Sequence, residues 1–275
     1  MDSYRGFIFG SWAADGPGLE AHLGGASEMI DRLCDLSPSG KVVTRNGWLK
    51  HRVNANWKII AENVCDFYHP ARTHASSQLP ASFFQDDTGA VNRYLGNGHG
   101  EMDIRPGLDQ RRQKTLDDYA GEERTYLELL AQAHGTEQAL AKHRAGPPHG
   151  LVFPNLFIAG QNLFVIQPRS NGQTTHLQTP IAYDGAPDTI NRRQLRRFEG
   201  ASGPAGMLEV DDAAVWERLQ IGLGAERPEW CLLQRGGERE RYLAEGREGR
   251  MLDETAVRGF WRHYLTVMSA AGKPA

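Results

Sequence analysis

Apolar side chains recur every three or four positions from Val257 to Met268, and this period predicts a long amphipathic helix at the end of the chain. Weaker patterns of the same kind, rich in Ala, Leu, Glu and Gln, predict further helices. These helices are expected over Leu19–Leu36, over Thr115–Arg144 with a break at Gly135, and over Asp188–Glu199.

Short runs of β-branched and aromatic residues, bounded by glycine and proline, predict antiparallel strands. They are expected at Tyr4–Trp12, at Lys41–Asn54 with an irregularity at Asn46-Gly47, at Val91–Ile104 with a bulge or turn at its glycines, and two or three times within Leu151–Tyr183, whereas Leu79–Gly89 is expected to be a loop. This order of elements predicts an α+β fold, with one domain over residues 1–275. A curved antiparallel sheet would wrap the C-terminal helix and enclose an apolar cavity.

Composition narrows the possible partners. A formal net charge of −3 with mixed signs gives no electrostatic reason to expect nucleic acid or membrane binding, and the basic run Arg192–Arg197 is interpreted as a solvated helix face. No apolar run reaches about 18 residues, and the N-terminus has no leader pattern. Three cysteines without pairing signals fit a reducing compartment, so the expected location is the cytoplasm.

Two histidines, His69 and His74, supply candidate metal ligands. Five positions in a regular helix separate side chains by roughly 140°, so one straight helix cannot point both imidazoles at one ion. Pro70 suggests a solution, because the residue before proline is biased away from helical dihedrals. We therefore expect a helix that starts at about Trp57 and ends or kinks near His69, which lets both rings turn inward.

A carboxylate would complete the site. In the stretch 208–219, Asp212, Val215, Trp216 and Leu219 fall on one predicted helical face, so Asp212 is expected to be buried. Burial of a carboxylate is costly unless it is paired or bound to metal. Asp211 is expected to cap the helix or face solvent. Two His and one carboxylate are the ligands of non-heme Fe(II) oxygenases, and a zinc hydrolase with Glu62 as its general base is an alternative.

Several segments together resemble the catalytic domain of the α subunit of Rieske-type aromatic-ring-hydroxylating oxygenases. They are Asn56-Trp57-Lys58, Glu62-Asn63, Asp66-x-Tyr68-His69, His74, Asp211-Asp212-x-x-x-Trp216, and, less specifically, Tyr4–Gly10, Phe153–Leu156 and Asp253–Met268. The resemblance implies a helix-grip fold of the Bet v1/START type. It implies that His69, His74 and Asp212 hold a mononuclear Fe(II), and that Asn63 lies close to the metal. Asp66 would hydrogen-bond the iron-ligating histidine and link it to a neighbouring subunit's iron–sulfur cluster.

The resemblance also implies an activity and a set of partners. Members hydroxylate an aromatic or similar hydrophobic substrate with O₂, by cis-dihydroxylation or monohydroxylation. Their electrons come from a Rieske cluster fed by a ferredoxin and a reductase. The α subunits assemble as trimers, in some cases with β subunits, so a homo-oligomer is expected here.

One departure from the family concerns the cluster itself. A Rieske [2Fe–2S] centre is bound by two Cys and two His, which requires paired Cys-x-His and Cys-x-x-His segments. None of Cys34, Cys65 and Cys231 has such a partner. The cluster is therefore expected on a separate or missing domain, and the isolated chain is not expected to turn over with NADH and a reductase. A fragment, a split subunit and an inactive relative remain open, and the alternative function is a non-catalytic helix-grip ligand-binding protein.

Overall fold

The computed structural model describes residues 1–75, 89–108, 114–225, 227 and 229–271. Its strands are β1 (Asp2–Tyr4), β2 (Phe7–Phe9), β3 (Val42–Val43), β4 (Leu49–Val53), β5 (Val91–Tyr94), β6 (Gly100–Asp103), β7 (His149–Val152), β8 (Leu156–Ala159), β9 (Asn162–Ser170), β10 (Gln173–Pro180), β11 (Ala182–Tyr183), β12 (Arg241–Tyr242) and β13 (Arg247–Arg250). Its α-helices are α1 (Leu19–Leu23), α2 (Ser27–Cys34), α3 (Trp57–Cys65), α4 (Pro70–Thr73), α5 (Arg105–Leu108), α6 (Gly121–His134), α7 (Thr136–Ala145), α8 (Asp188–Ser202), α9 (Glu209–Gly222) and α10 (Thr255–Ala271).

A large antiparallel sheet organises the fold. Within the described ranges it has nine strands in the order β12-β13-β5-β6-β7-β8-β9-β10-β4. Two small antiparallel pairs, β1-β2 and β3-β11, lie outside it. The mixed helix and sheet content confirms the α+β prediction.

Each face of the large sheet carries its own helices. Directly opposed residues in antiparallel strands point to the same face. Val152, Ile158 and Leu163 point to one face, where they pack with buried side chains of α1, α2 and α6. Leu151 and Ile166 point to the other face, where the second core forms with α3, α9 and α10. The candidate site lies on this second face.

A buried asparagine fixes how α10 meets the sheet. Asn92 of β5 is fully buried, donates a hydrogen bond to the carbonyl of Asp253 at 2.8 Å and accepts one from the backbone N–H of Ala256 at 2.8 Å. Its amide nitrogen also lies 3.4 Å from the carbonyl of Cys65, the last residue of α3. One side chain therefore ties the first turn of α10 and the end of α3 to the sheet.

Most predicted elements are confirmed. The helix break at Gly135, the turn between β5 and β6, the helix from Asp188 and the long C-terminal helix are all present. The predicted loop Leu79–Gly89 lies outside the described residues except for Gly89. No helix in the described ranges is both long and apolar enough to cross a membrane.

Four predicted segments differ in detail from the structure. The short entry strand expected over Tyr4–Trp12 is instead part of the hairpin β1-β2, because the chain reverses at Gly6 with φ of +87°. The helix predicted over Leu19–Leu36 is interrupted at Gly24 with φ of +45°. Left-handed dihedrals of this kind are accessible to glycine and end regular structure.

The other two concern strands. The irregularity expected at Asn46-Gly47 is confirmed, since Gly47 has a φ of +77°. It divides the segment Lys41–Asn54 into two strands, β3 and β4, which pair with different partners. Leu151–Tyr183 was expected to hold two or three strands, but five strands fall wholly or partly in it: β7, β8, β9, β10 and β11. The two-residue turn Gly160-Gln161, for example, separates the four-residue β8 from β9.

Candidate metal centre

The helix α3 brings the first histidine to the sheet. Asn56 caps α3, since its side chain accepts a hydrogen bond from the backbone N–H of Lys58 at 3.0 Å. The helix ends at Cys65, earlier than predicted, where Asp66 turns to extended dihedrals (φ −99°, ψ 118°). Pro70 was expected to turn His69 away from helical dihedrals, and this was wrong, since His69 is helical (φ −59°, ψ −37°). Pro70 is instead the first residue of α4, a position that proline favours.

Asp66 shapes the turn between the two helices. Its Oδ1 accepts hydrogen bonds from the backbone N–H groups of Tyr68 at 2.8 Å and His69 at 3.2 Å. A short acidic side chain that binds the backbone two residues on stabilises a turn. Asp66 thus sets the direction in which the His69 ring leaves the chain.

A second contact of this turn selects the His69 tautomer. His69 Nδ1 lies 2.8 Å from the backbone carbonyl oxygen of Asp66, whereas the Asp66 carboxylate is 3.7 Å away. A carbonyl oxygen only accepts, so Nδ1 carries the proton and Nε2 keeps a free lone pair. Metal-ligating histidines are commonly oriented by such a bond. The acceptor here is the backbone of Asp66 and not its carboxylate.

The third residue of the group, Asp212, lies in the first turn of α9. Asp212 and Trp216 are buried as predicted, but Leu219 is 50% exposed and does not belong to the buried face. The next apolar residue of the helix, Ile221, is 79% exposed, so the second half of α9 projects away from the core. Asp211 is partly buried in the first turn and is not the N-cap residue, which is Leu208.

The three side chains predicted as ligands meet in space. Asp212 Oδ1 lies 3.6 Å from His69 Nε2 and 3.4 Å from His74 Nε2, and the two imidazole rings are 5.5 Å apart at 76°. One ligand atom from each residue lies within 4.8 Å of the others. Bonds of about 2.1 Å to one ion place neighbouring ligand atoms roughly 3–3.5 Å apart. The group therefore fits a metal ion.

The Asp212 carboxylate supplies a second indication that the group fits a metal ion. Its Oδ1 is buried and has no hydrogen-bond partner among the described residues. A buried carboxylate oxygen without a donor is destabilising, since it has lost its hydration. A cation between Asp212 and the two imidazoles would remove that cost.

A cavity of about 360 Å³ adjoins the three side chains. Its size suits a small organic ligand. Its described lining combines aromatic and aliphatic side chains with a few polar ones: Asn63, Val64, Asp66, Phe67, His69, Pro70, His74, Met102, His149, Phe157, Ala159, Gly160, Asn162, Phe164, Ala201, Ser202, Leu208, Glu209 and Asp212. Asn63, predicted to lie near the metal, is part of this lining.

Comparison with known proteins assigns the chain to a family. The sequence model described as the ring hydroxylating alpha subunit (catalytic domain) matches residues 41–270. The chain belongs to this family. The match covers every residue of the candidate metal site.

Individual relatives agree with the assignment. The chain is 29% identical over 237 residues to the N,N-dimethyl phenylurea N-demethylase subunit alpha of Sphingobium sp. (strain YBL2), which covers 79% of this chain and 51% of that protein. It is 31% identical over 242 residues to the toluate 1,2-dioxygenase subunit alpha of Pseudomonas putida, a match that covers 80% of this chain and 50% of that protein. The chain thus spans about half the length of these curated relatives.

A solved structure shares the fold. Naphthalene 1,2-dioxygenase from Rhodococcus sp., bound to indole, superposes with a TM-score of 0.80 at 22% identity, over 99% of this chain and 66% of that one. At this identity the similarity shows that this member of the ring-hydroxylating family has the same fold as the dioxygenase.

One polar cluster beside the metal group was not predicted. Glu209, one helical turn before Asp212, accepts a hydrogen bond at its Oε1 from Gln178 Nε2 at 3.0 Å, and His176 Nδ1 lies 2.7 Å from the same oxygen. His176 also stacks on Phe164, with ring centroids 5.3 Å apart. Its sequence signal is the three-residue spacing from Glu209 to Asp212, which places both carboxylates on one face of the helix.

Glu62 occupies a different environment from the one that a zinc hydrolase requires. Its Oε2 accepts a hydrogen bond from Trp261 Nε1 at 2.6 Å, and burial raises the pKa of its carboxyl group. It is absent from the described cavity lining. A general base must reach the water that it activates, so this placement does not support the hydrolase interpretation.

Proposed function

We propose that residues 1–275 form the catalytic domain of a ring-hydroxylating oxygenase, which adds oxygen from O₂ to an aromatic or similar hydrophobic substrate by cis-dihydroxylation or monohydroxylation. The observation that carries this proposal is the meeting of His69, His74 and Asp212 beside a mainly apolar cavity. Family membership supports it, as do relatives named dioxygenases of toluate and biphenyl.

Fe(II) is the metal that we propose for this site. Two neutral imidazoles and one carboxylate leave other coordination positions open, which is the ligand set of non-heme Fe(II) oxygenases. When bound, iron would supply the redox centre at which O₂ is reduced. The chain orients His69 through the Asp66 carbonyl, provides a negative charge at Asp212, and surrounds the substrate with apolar side chains.

Asp66 and Asn63 are assigned supporting roles. Asp66 sets the turn that carries His69, and it is partly exposed. We propose that it also links His69 to the electron donor. Asn63 lies in the cavity lining near this turn, where its amide can hydrogen-bond to water or substrate.

The electron donor and the assembly follow from the same proposal. A Rieske [2Fe–2S] cluster on another domain or chain, supplied by a ferredoxin and a reductase, would deliver electrons. Relatives are named alpha or large subunits, which supports a homo-oligomer, a trimer by analogy, with β subunits as further partners. The packing of α10 against β5, β6 and β13 supports a helix-grip description of the fold.

A peroxide assay tests the activity without any partner protein. Hydrogen peroxide is equivalent to O₂ that has already received two electrons and two protons. Its addition to the substrate gives the dihydroxylated product with nothing left over, whereas monohydroxylation also releases one water. The chain, loaded anaerobically with Fe(II), is mixed with indole and ¹⁸O-labelled peroxide. We expect indole products that carry one or two ¹⁸O atoms, measured by mass spectrometry.

Controls separate catalysis from free iron chemistry. Asp212→Ala with the same amount of iron is expected to form no product above that of iron alone, whereas Asp211→Asn is expected to retain activity. Equal product from wild type and Asp212→Ala would contradict the proposal. Tight indole binding without iron binding or product would favour the ligand-binding alternative.

A further inference from the structure

A row of four residues crosses the sheet along one wall of the cavity. Met102 of β6 lies opposite His149 of β7, His149 opposite Ala159 of β8, and Ala159 opposite Asn162 of β9. Opposed residues share a face, with their Cβ atoms about 5 Å apart. All four line the cavity. The small Ala159 therefore separates two polar side chains that face the same space.

The neighbouring row is aromatic. Phe157 lies two residues before Ala159 in β8, and Phe164 lies two residues after Asn162 in β9. The two residues are opposite each other, and their rings stack with centroids 4.9 Å apart. Both also line the cavity. The wall thus has an apolar part that suits a ring and a polar row beside it.

His149 presents a neutral imidazole to the cavity. It is held edge to face between Phe67, at 5.7 Å, and Phe157, at 5.1 Å. Neither ring nitrogen takes part in any hydrogen bond among the described residues. A neutral imidazole offers one N–H donor and one bare nitrogen.

Asn162 likewise presents an unpaired carboxamide to the cavity. Its side chain makes no hydrogen bond within the described ranges, although it is partly buried. Glu209 differs, because its Oε1 already accepts a hydrogen bond from Gln178. Neither the His149 nor the Asn162 side chain has a polar atom that is both buried and unpaired, so both reach the open space of the cavity. A ligand in the cavity can therefore hydrogen-bond to both side chains without displacing a protein partner.

The charge of the lining restricts what such a ligand carries. Asp66, Glu209 and Asp212 contribute carboxylates, and the described lining contains no Lys or Arg. In the metal-free chain, a carboxylate on the substrate would meet like charge without a compensating Lys or Arg among the described lining residues, which makes its binding free energy less favourable. An uncharged polar group would meet no such penalty.

We propose that His149 and Asn162 form a polar subsite that selects aromatic substrates carrying an uncharged hydrogen-bonding group, such as a ring N–H or hydroxyl, over hydrocarbons and aromatic carboxylates. The inference rests on the proposed function only in taking the cavity as the substrate site. The subsite positions the ring, and the metal group performs the chemistry.

The test compares two probes of nearly equal shape. Indole has an N–H where indene has a CH₂ group. Dissociation constants of both for the metal-free chain are measured by calorimetry, and the quantity followed is the indene-to-indole ratio. A hydrogen bond contributes about a factor of five, so His149→Phe is expected to lower the ratio about fivefold. His149→Asn, which keeps a donor and an acceptor, is expected to retain most of it.

Matched variants separate the subsite from general packing. Phe67→Leu removes an aromatic neighbour of His149 and is expected to weaken both probes alike. Asn162→Val removes the hydrogen-bonding carboxamide of the subsite. If His149→Phe does not fold, the indene-to-indole ratio of Asn162→Val tests the proposal by itself. Benzoate is expected to bind at least about tenfold more weakly than indole.

Two results would overturn the proposal: a ratio unchanged in the His149 and Asn162 variants that fold, or benzoate bound as tightly as indole. A different result would contradict the proposed function and not the subsite. A chain that shows the probe preference but forms no oxidised indole with Fe(II) and peroxide would contradict the oxygenase assignment and leave the subsite intact.

Discussion

Replacement of Asp212 by asparagine should stabilise the metal-free protein while it abolishes metal binding. Asp212 Oδ1 is buried without a hydrogen-bond donor, 3.6 Å from His69 Nε2. His69 Nδ1 donates to the Asp66 carbonyl, so His69 Nε2 can only accept a hydrogen bond. Asp212 Oδ1, which faces it, is also an acceptor. An asparagine amide turned toward Nε2 replaces this unfavourable contact with an N–H···N hydrogen bond.

The expected magnitude follows from the cost of the buried acceptor. A buried unsatisfied group costs about 1–3 kcal/mol, and part of that is recovered, so the variant should gain about 1–2 kcal/mol. For a chain of this size that corresponds to a rise in Tm of roughly 2–6 °C. With Fe(II) at about 100 times Kd, the wild type gains about 2.7 kcal/mol and the variant gains none. The order of stability therefore reverses.

Thermal unfolding at pH 8, under anaerobic conditions with and without Fe(II), measures both effects. Asp211→Asn is the matched control, one position earlier in α9, and should respond to Fe(II) like the wild type. The reasoning is refuted if Asp212→Asn lowers the Tm of the metal-free protein, or if Fe(II) stabilises that variant as much as the wild type.

Three further predictions concern the framework of the site. Asn92→Leu leaves the Asp253 carbonyl and the Ala256 N–H without their buried partner, so urea unfolding should show a loss of about 3 kcal/mol; an unchanged midpoint would contradict this. Phe260→Ala, at a fully buried position of α10, should cost about 3–5 kcal/mol in the same assay. Burial lowers the pKa of His99 to about 4 from about 6.5 when unfolded, so its contribution is complete above pH 6.5 and about 3 kcal/mol is lost as the pH falls through 4. His99→Gln should show a shallower acid transition, and equal slopes would count against it.

Local sequence signals predicted the helices and most strands because they act over a few residues. The break at Gly135 and the periodic pattern of α10 are examples. Errors arose where a left-handed glycine interrupts a good pattern, as at Gly24 and Gly47. Sheet order was beyond such reasoning, since β4 pairs with β10, whose residues lie about 120 positions later, and only tertiary packing specifies that partner.

Sequence reasoning proposed the metal group because two of its histidines are close in the chain and Asp212 lies on a predicted buried face. It did not anticipate that the Asp66 backbone orients His69, since main-chain acceptors carry no residue identity. Glu209 and the polar row on the sheet were also missed. The polar row faces the cavity only because of the strand register, which a one-residue slip would change completely. Glu209 lies three residues before Asp212 in the same helix, so helical spacing could have placed it beside Asp212.

The most direct test of the central claim is anaerobic Fe(II) binding, measured by equilibrium dialysis together with X-ray absorption of the bound iron. We predict about one Fe(II) per chain with scattering from two imidazoles, lost in each of His69→Ala, His74→Ala and Asp212→Ala. A wild-type chain that binds no iron, or variants that bind it as well as the wild type does, would contradict the proposed centre.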